Sequence, residues 1–143
     1  MANLNPLIRV RRHTVEQKQK ALSDLYRKAE VLNQEKADLL SALESERTHV
    51  QEMDGRMMSY FGPYSEAVNE RVQAINTALA HLETHISIAQ DEMRRAFSDL
   101  KKVEITQERR EEEEQKARDK KDSTALDESA IEGYRRKEEE DET

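Results

Sequence analysis

From Val15 to Tyr60, and again from Val68 to Val103, apolar residues recur in a 3-4 alternation, with Gly62-Pro63 between the two runs. In the first run Val15, Leu22, Leu25, Ala29, Leu32, Leu39, Leu43, Val50, Met53, Met57 and Tyr60 lie on the stripe, which is interrupted only by Lys18, Lys36 and Glu46. The second run, Val68, Val72, Ile75, Leu79, Leu82, Ile86, Ala89, Met93, Ala96, Leu100 and Val103, has no polar exception. A period of 3.5 held this long predicts coiled-coil seams, because each helix has one narrow apolar stripe that must face another. The chain therefore reads as all-α, a long antiparallel two-helix coiled-coil hairpin with a charged, partly disordered C-terminal tail.

Breaks in the pattern divide it. Asn5-Pro6 and Gly62-Pro63 each place proline where a helix can begin, since a first-turn N–H has no intrahelical partner. They predict one helix over about 6–60, a turn at about 61–64 and a second helix over about 65–121, together a hairpin domain of residues 1–121. Gly55 suggests that the tip loosens from there onward. Thr124 and Asp127 have capping-box spacing and predict a fresh start to a short amphipathic segment, followed by an acidic end, Glu138 to Glu142, that reads as disordered. That segment and tail span 122–143.

Register follows from the seams and from charge. If facing positions sum to 125, Leu39 meets Ile86, Val50 meets Ile75, and Arg9 to Arg12 run beside Glu111 to Glu114. A slip of one heptad, to 132, also aligns the seams, but the charge match and the short loop favour 125. Lys18, Lys36 and Glu46 read as register devices, because polar seam residues cost stability and limit alternative pairings.

Composition narrows the function. Of the 143 residues, 35% are hydrophobic and 38% charged, with 4% aromatic, too little apolar material for a globular core and enough for a thin rod. The absence of cysteine excludes thiolate chemistry and Cys-based zinc sites and fits a cytoplasmic setting. No run approaches a membrane span, and no signal-peptide core opens the chain. Residues 1–103 balance 15 basic against 15 acidic side chains, so 104–143 carry the whole net charge of −7. Nucleic acid is thereby disfavoured as a partner.

Chemistry is sparse. His81 and His85 have the i, i+4 spacing of metal ligands, but no third ligand accompanies them and exposed polar histidines explain them better. A two-stranded rod offers no dry concave site in which a carboxylate pKa is reshaped, so no enzyme is expected and no cofactor. The candidates are for partner binding: the basic cluster Arg9, Arg11 and Arg12; the aromatics Tyr60, Phe61 and Tyr64, read either as a plug closing the hairpin or as a binding tip; and Leu126, Ile131 and Tyr134, a small apolar face that is frayed or orders on a partner.

The opening Leu7-Ile8-Arg9-Val10-Arg11-Arg12-His13, the stretch Ala96-Phe97-Ser98-Asp99-Leu100-Lys101-Lys102-Val103-Glu104 and the closing Leu126-Asp127-Glu128 with Arg135-Arg136 resemble the FliJ family. That family comprises coiled-coil proteins of the flagellar type III export apparatus. The resemblance implies a non-enzymatic hairpin in the bacterial cytoplasm, held peripherally at the inner membrane through partners alone. Those implied partners are the hexameric export ATPase, whose ring the terminal end would enter, the export gate protein FlhA, and export chaperones. On this analogy Arg9, Arg11 and Arg12 face the ATPase. The aromatic spacing of the gate-binding surface in better-known members has no match here, so no gate contacts are carried over. The competing reading is a homo-oligomeric structural spacer or tether in the cytoplasm, which would close its seam only between chains.

Overall fold

The computed structural model describes residues 3–53 and 58–142. They form two helices, α1 (Asn5–Gln51) and α2 (Met58–Asp141), and no strand occurs among the described residues. The expected all-α helical hairpin is what the chain adopts. It divides into two compact units, one of Arg11–Ser98 and one of Met1–Val10 with Asp99–Thr143.

The first unit is an antiparallel hairpin closed by the predicted seam. Val15, Leu22, Leu43 and Val50 of α1 and Val68, Ile75 and Ala96 of α2 are buried, Ile75 most completely at 1% exposure. The other seam residues of this unit, among them Leu25, Leu32, Leu39, Val72, Leu82 and Met93, are half-buried, as two-stranded packing leaves them.

The connection does not fall at Gly62-Pro63. α1 ends at Gln51 and α2 starts at Met58, so the expected turn at 61–64 is helix, with Pro63 as its sixth residue. Pro63 has no N–H to offer the carbonyl of Ser59, four residues back, so α2 continues through its second turn with one intrahelical bond fewer. Gly62 has ordinary helical backbone, with open space where a Cβ would stand. The sequence between the end of α1 at Gln51 and the start of α2 at Met58 holds Asp54-Gly55, a dipeptide that marks turns in sequences. The loosening expected at Gly55 concerns a residue outside the described ones, as does seam position Met57.

Moving the turn moves the register. Across the hairpin Lys18 pairs with Glu92 at 3.1 Å, Arg71 with Glu35 at 2.8 Å, and the Gln90 amide donates to the Tyr26 hydroxyl at 2.7 Å. These position sums, 110, 106 and 116, centre near 111, two heptads below the expected 125 and three below 132. Seams with a seven-residue repeat coincide again after each heptad, so 111 keeps them facing and sets Leu43 opposite Val68 and Val15 opposite Ala96, buried on both sides. Tyr60, counted on the α1 seam, belongs to α2 and is 59% exposed.

In the second unit Asn3 Oδ1 accepts the Asn5 N–H at 3.0 Å, and Leu4 O accepts the first helical bond from Ile8 N at 2.9 Å, so the Asn3 side chain caps the start of α1. Leu4 N donates to Gln107 Oε1 at 3.2 Å, again a sum of 111. Arg9 lies inward of that contact and Glu111 to Glu114 outward, so the charge match that favoured 125 does not form. Leu100 is buried, and Val103 and Gln107 are half-buried.

Beyond Gln107 the helix simply continues. Thr124 caps nothing: its Oγ1 donates back to Lys120 O at 2.8 Å, a bond made inside a helix. The acidic end expected to be disordered is helical through Asp141. From Glu108 to Glu142 every side chain except half-buried Glu114 is exposed.

Candidate partner-binding surfaces

The 3-4 periodicity that buries the seam turns the rest of each helix outward, and the candidates follow from their place in it. On α1, Arg9 and Arg12 are exposed and Arg11 is half-buried. Arg9 and Arg12, three positions apart, are neighbours on one face of the helix and reach solvent there, while Arg11 lies beside the seam.

The three aromatics fall in the first two turns of α2, not in a loop. Tyr60 and Tyr64, one turn apart, stack with ring centroids 6.1 Å apart and planes 9° from parallel, the offset arrangement that aromatic pairs favour. Phe61 and Tyr64 are half-buried, because 61 and 65 continue the α2 seam that Val68 begins. Phe61 and Tyr64 are thus partly covered, while the Tyr60 ring stays largely in solvent.

Leu126, Ile131 and Tyr134 are 70%, 61% and 68% exposed. At ~100° per residue they spread over about 140° of the helix circumference, so they form no narrow stripe. His81 and His85 are exposed, and among the described residues no three or more of His, Cys, Asp and Glu cluster as metal ligands would. The hollows are open grooves, such as that lined by Asp24, Arg27, Val31 and Leu82.

Sequence reasoning missed the polar contacts that clasp the hairpin. Glu35 and Arg71 form a two-pronged pair, Nε to Oε1 at 2.8 Å and Nη2 to Oε2 at 3.0 Å. The guanidinium hydrogen bonds hold the Glu35 carboxyl below the usual carboxylate range, and the carboxylate raises Arg71 in turn. Both residues lie off the seam, so only the correct register reveals that they meet. Val31 and Ile88, 62% and 52% exposed, also stand outside the periodic stripe and were not singled out.

Fold and surfaces together define an all-α helical hairpin of two long helices. A family model described as flagellar FliJ protein matches residues 1–139, and the chain belongs to that family. It is accordingly a component of the flagellar export apparatus. No curated protein and no solved structure gave a match. Among the described residues no helix is long and apolar enough to cross a membrane.

Proposed function

We propose that this chain is a non-enzymatic helical partner of the hexameric flagellar export ATPase, docking through the α1 segment that bears Arg9, Arg11 and Arg12, and that it also engages the export gate and export chaperones from the cytoplasm. The observation that carries the reading is the match to the family over residues 1–139, which includes all three arginines. The exposure of Arg9 and Arg12 supports it, since a charge already buried in the fold has little left to offer a partner. The alternative of a spacer that closes its seam only between chains is disfavoured because the Arg11–Ser98 hairpin buries Ile75, Leu43 and Val68 within one chain.

Replacing Arg9, Arg11 and Arg12 with Glu tests the proposal. The triple variant is expected to lose binding to the cognate ATPase, or stimulation of its turnover, while circular dichroism reports near-normal helicity. Truncation after Lys121 separates out Leu126, Ile131 and Tyr134 as a second contact. A wild-type chain that neither binds the ATPase nor alters its assembly or turnover would sink the proposal.

A further inference from the structure

Gln107 stands where the α2 seam stops being apolar, after Ala96, Leu100 and Val103. An amide that faces another helix must find hydrogen-bond partners to replace those it had in water. Gln107 finds two. Its Oε1 accepts the Leu4 N–H at 3.2 Å, and its Nε2 donates to Glu111 Oε1, one turn further along α2, at 3.0 Å. The chemistry fixes which end of the amide points where, because a backbone N–H only donates and an ionised carboxylate only accepts.

The oxygen meets a group that a helix start leaves over. An α-helix begins with N–H groups that have no carbonyl behind them. At the start of α1, Asn3 Oδ1 takes the Asn5 N–H, Pro6 has none, and Gln107 takes the Leu4 N–H from across the pair. Burial adds little there: among residues 3–10 only Leu4 and Ile8 are half-buried, while Leu7 and Val10 are 40% and 60% exposed. Helix ends with so little burial open at low cost, so a single cap carries weight. Arg9 stands one turn inside this start, and Arg11 and Arg12 follow in the same helix.

We infer that Gln107, oriented by Glu111, caps α1 from the neighbouring helix and is thereby a positioning residue that keeps the arginine segment helical for docking. The consequence for docking rests on the proposed ATPase reading, whereas the cap itself does not.

Substitutions at 107 separate the acceptor from its surroundings. Gln107→Ala removes it. Gln107→Lys keeps a long polar side chain but offers only donors, beside a helix start that disfavours positive charge. Gln107→Glu keeps an acceptor and puts negative charge where a helix start favours it. Hydrogen exchange of the full chain is read at the Ile8, Arg9 and Val10 amides. It is expected to quicken about fivefold in the first two variants and to stay within about twofold of wild type in the third. Glu111→Lys leaves Gln107 in place but exchanges the acceptor beside its Nε2 for a donor, which draws the amide oxygen away from Leu4. The same three amides should then quicken about twofold or more. Exchange at Ile75, deep in the hairpin, should not change in any variant. Gln107→Ala, neutral like the natural residue, should also weaken binding to the cognate export ATPase about twofold, because apparent affinity scales with the fraction of chains whose docking segment is formed.

Unchanged exchange in both Gln107→Ala and Gln107→Lys overturns the proposal. So does a Gln107→Glu variant that exchanges as fast as they do, since the acceptor would then not be what holds Leu4. Quickened exchange with undiminished ATPase binding overturns the positioning role and leaves a cap alone. A wild-type chain that does not bind the ATPase overturns the reading of the arginines instead, and exchange then decides on the cap by itself.

Discussion

The first forty residues of α2 and its last thirty-five show what a 3-4 repeat does with and without apolar side chains. Between Val68 and Ala96 the repeat is apolar, and its residues are buried or half-buried; from Glu108 to Asp141 the same helix carries charge at most of the repeat positions and is almost wholly exposed. Backbone geometry is the same in both. What differs is whether burying the stripe removes hydrocarbon from water, at roughly 25 cal/mol per Å², or strips ions of their hydration. The apolar stretch therefore sets stability, while the charged stretch leaves its surface to interactions that salt and partner identity can adjust.

The sharpest way to break this contrast is to put the same charge into both stretches. Ile75→Asp sets an unpaired carboxylate in the most buried position of the hairpin and is expected to cost about 3–5 kcal/mol, enough to unfold much of the chain at room temperature. Ile131→Asp makes the same chemical change at a side chain 61% exposed and is expected to change stability by less than about 0.5 kcal/mol. Chemical denaturation followed by circular dichroism compares them. Similar losses would mean that the distal helix is packed as tightly as the seam.

Register is the next largest effect, and the feature the sequence concealed. The seam itself was legible: every position expected on it from Val15 to Val50 and from Val68 to Val103 is buried or half-buried. The turn was not, because Gly62-Pro63 is the stronger pair of helix breakers by composition. Proline's penalty is local, one missing N–H and one crowded carbonyl, and in α2 it falls in the second turn without ending the helix. A heptad repeat aligns equally well at 111, 125 and 132, so the misplaced turn was free to select a wrong solution, and the match of Arg9–Arg12 with Glu111–Glu114 then reinforced it. Of the candidate residues, Arg9, Arg12, Tyr60, Leu126, Ile131 and Tyr134 stand exposed, whereas Arg11, Phe61 and Tyr64 are half-buried, and the Glu35–Arg71 clasp was hidden by the same error.

A pair of double-cysteine variants sharing one residue sharpens the point. Leu39→Cys with Val72→Cys satisfies the 111 register and is expected to form an intramolecular disulfide under mild oxidation. Leu39→Cys with Ile86→Cys satisfies 125 and would need the two sites to close a gap of fourteen positions along α2, about 21 Å, well beyond disulfide reach. Gel mobility without reductant distinguishes them. Efficient closure of the second pair alone would restore the longer register.

The smallest expected effect belongs to the clasp between Glu35 and Arg71. Because its hydrogen bonds to Arg71 hold the Glu35 carboxyl below its unfolded value, the folded chain resists protonating it. The sign follows: above the unfolded value the pair contributes fully, and as pH falls through the folded value the carboxyl takes up its proton and the contribution is lost. Both partners are solvent-exposed, with the Arg71 side chain 53% accessible, so screening keeps the contribution slight. Glu35→Gln is therefore expected to lower the melting temperature at neutral pH by no more than about 2 °C. The difference from wild type should shrink as the buffer is acidified, and added salt should shrink it as well. A deficit that grew on acidification would reverse the sign assigned here and mean that Glu35 stabilises the fold in its protonated form. A large deficit independent of salt would instead make the clasp, and not the apolar seam, a principal source of the hairpin's stability.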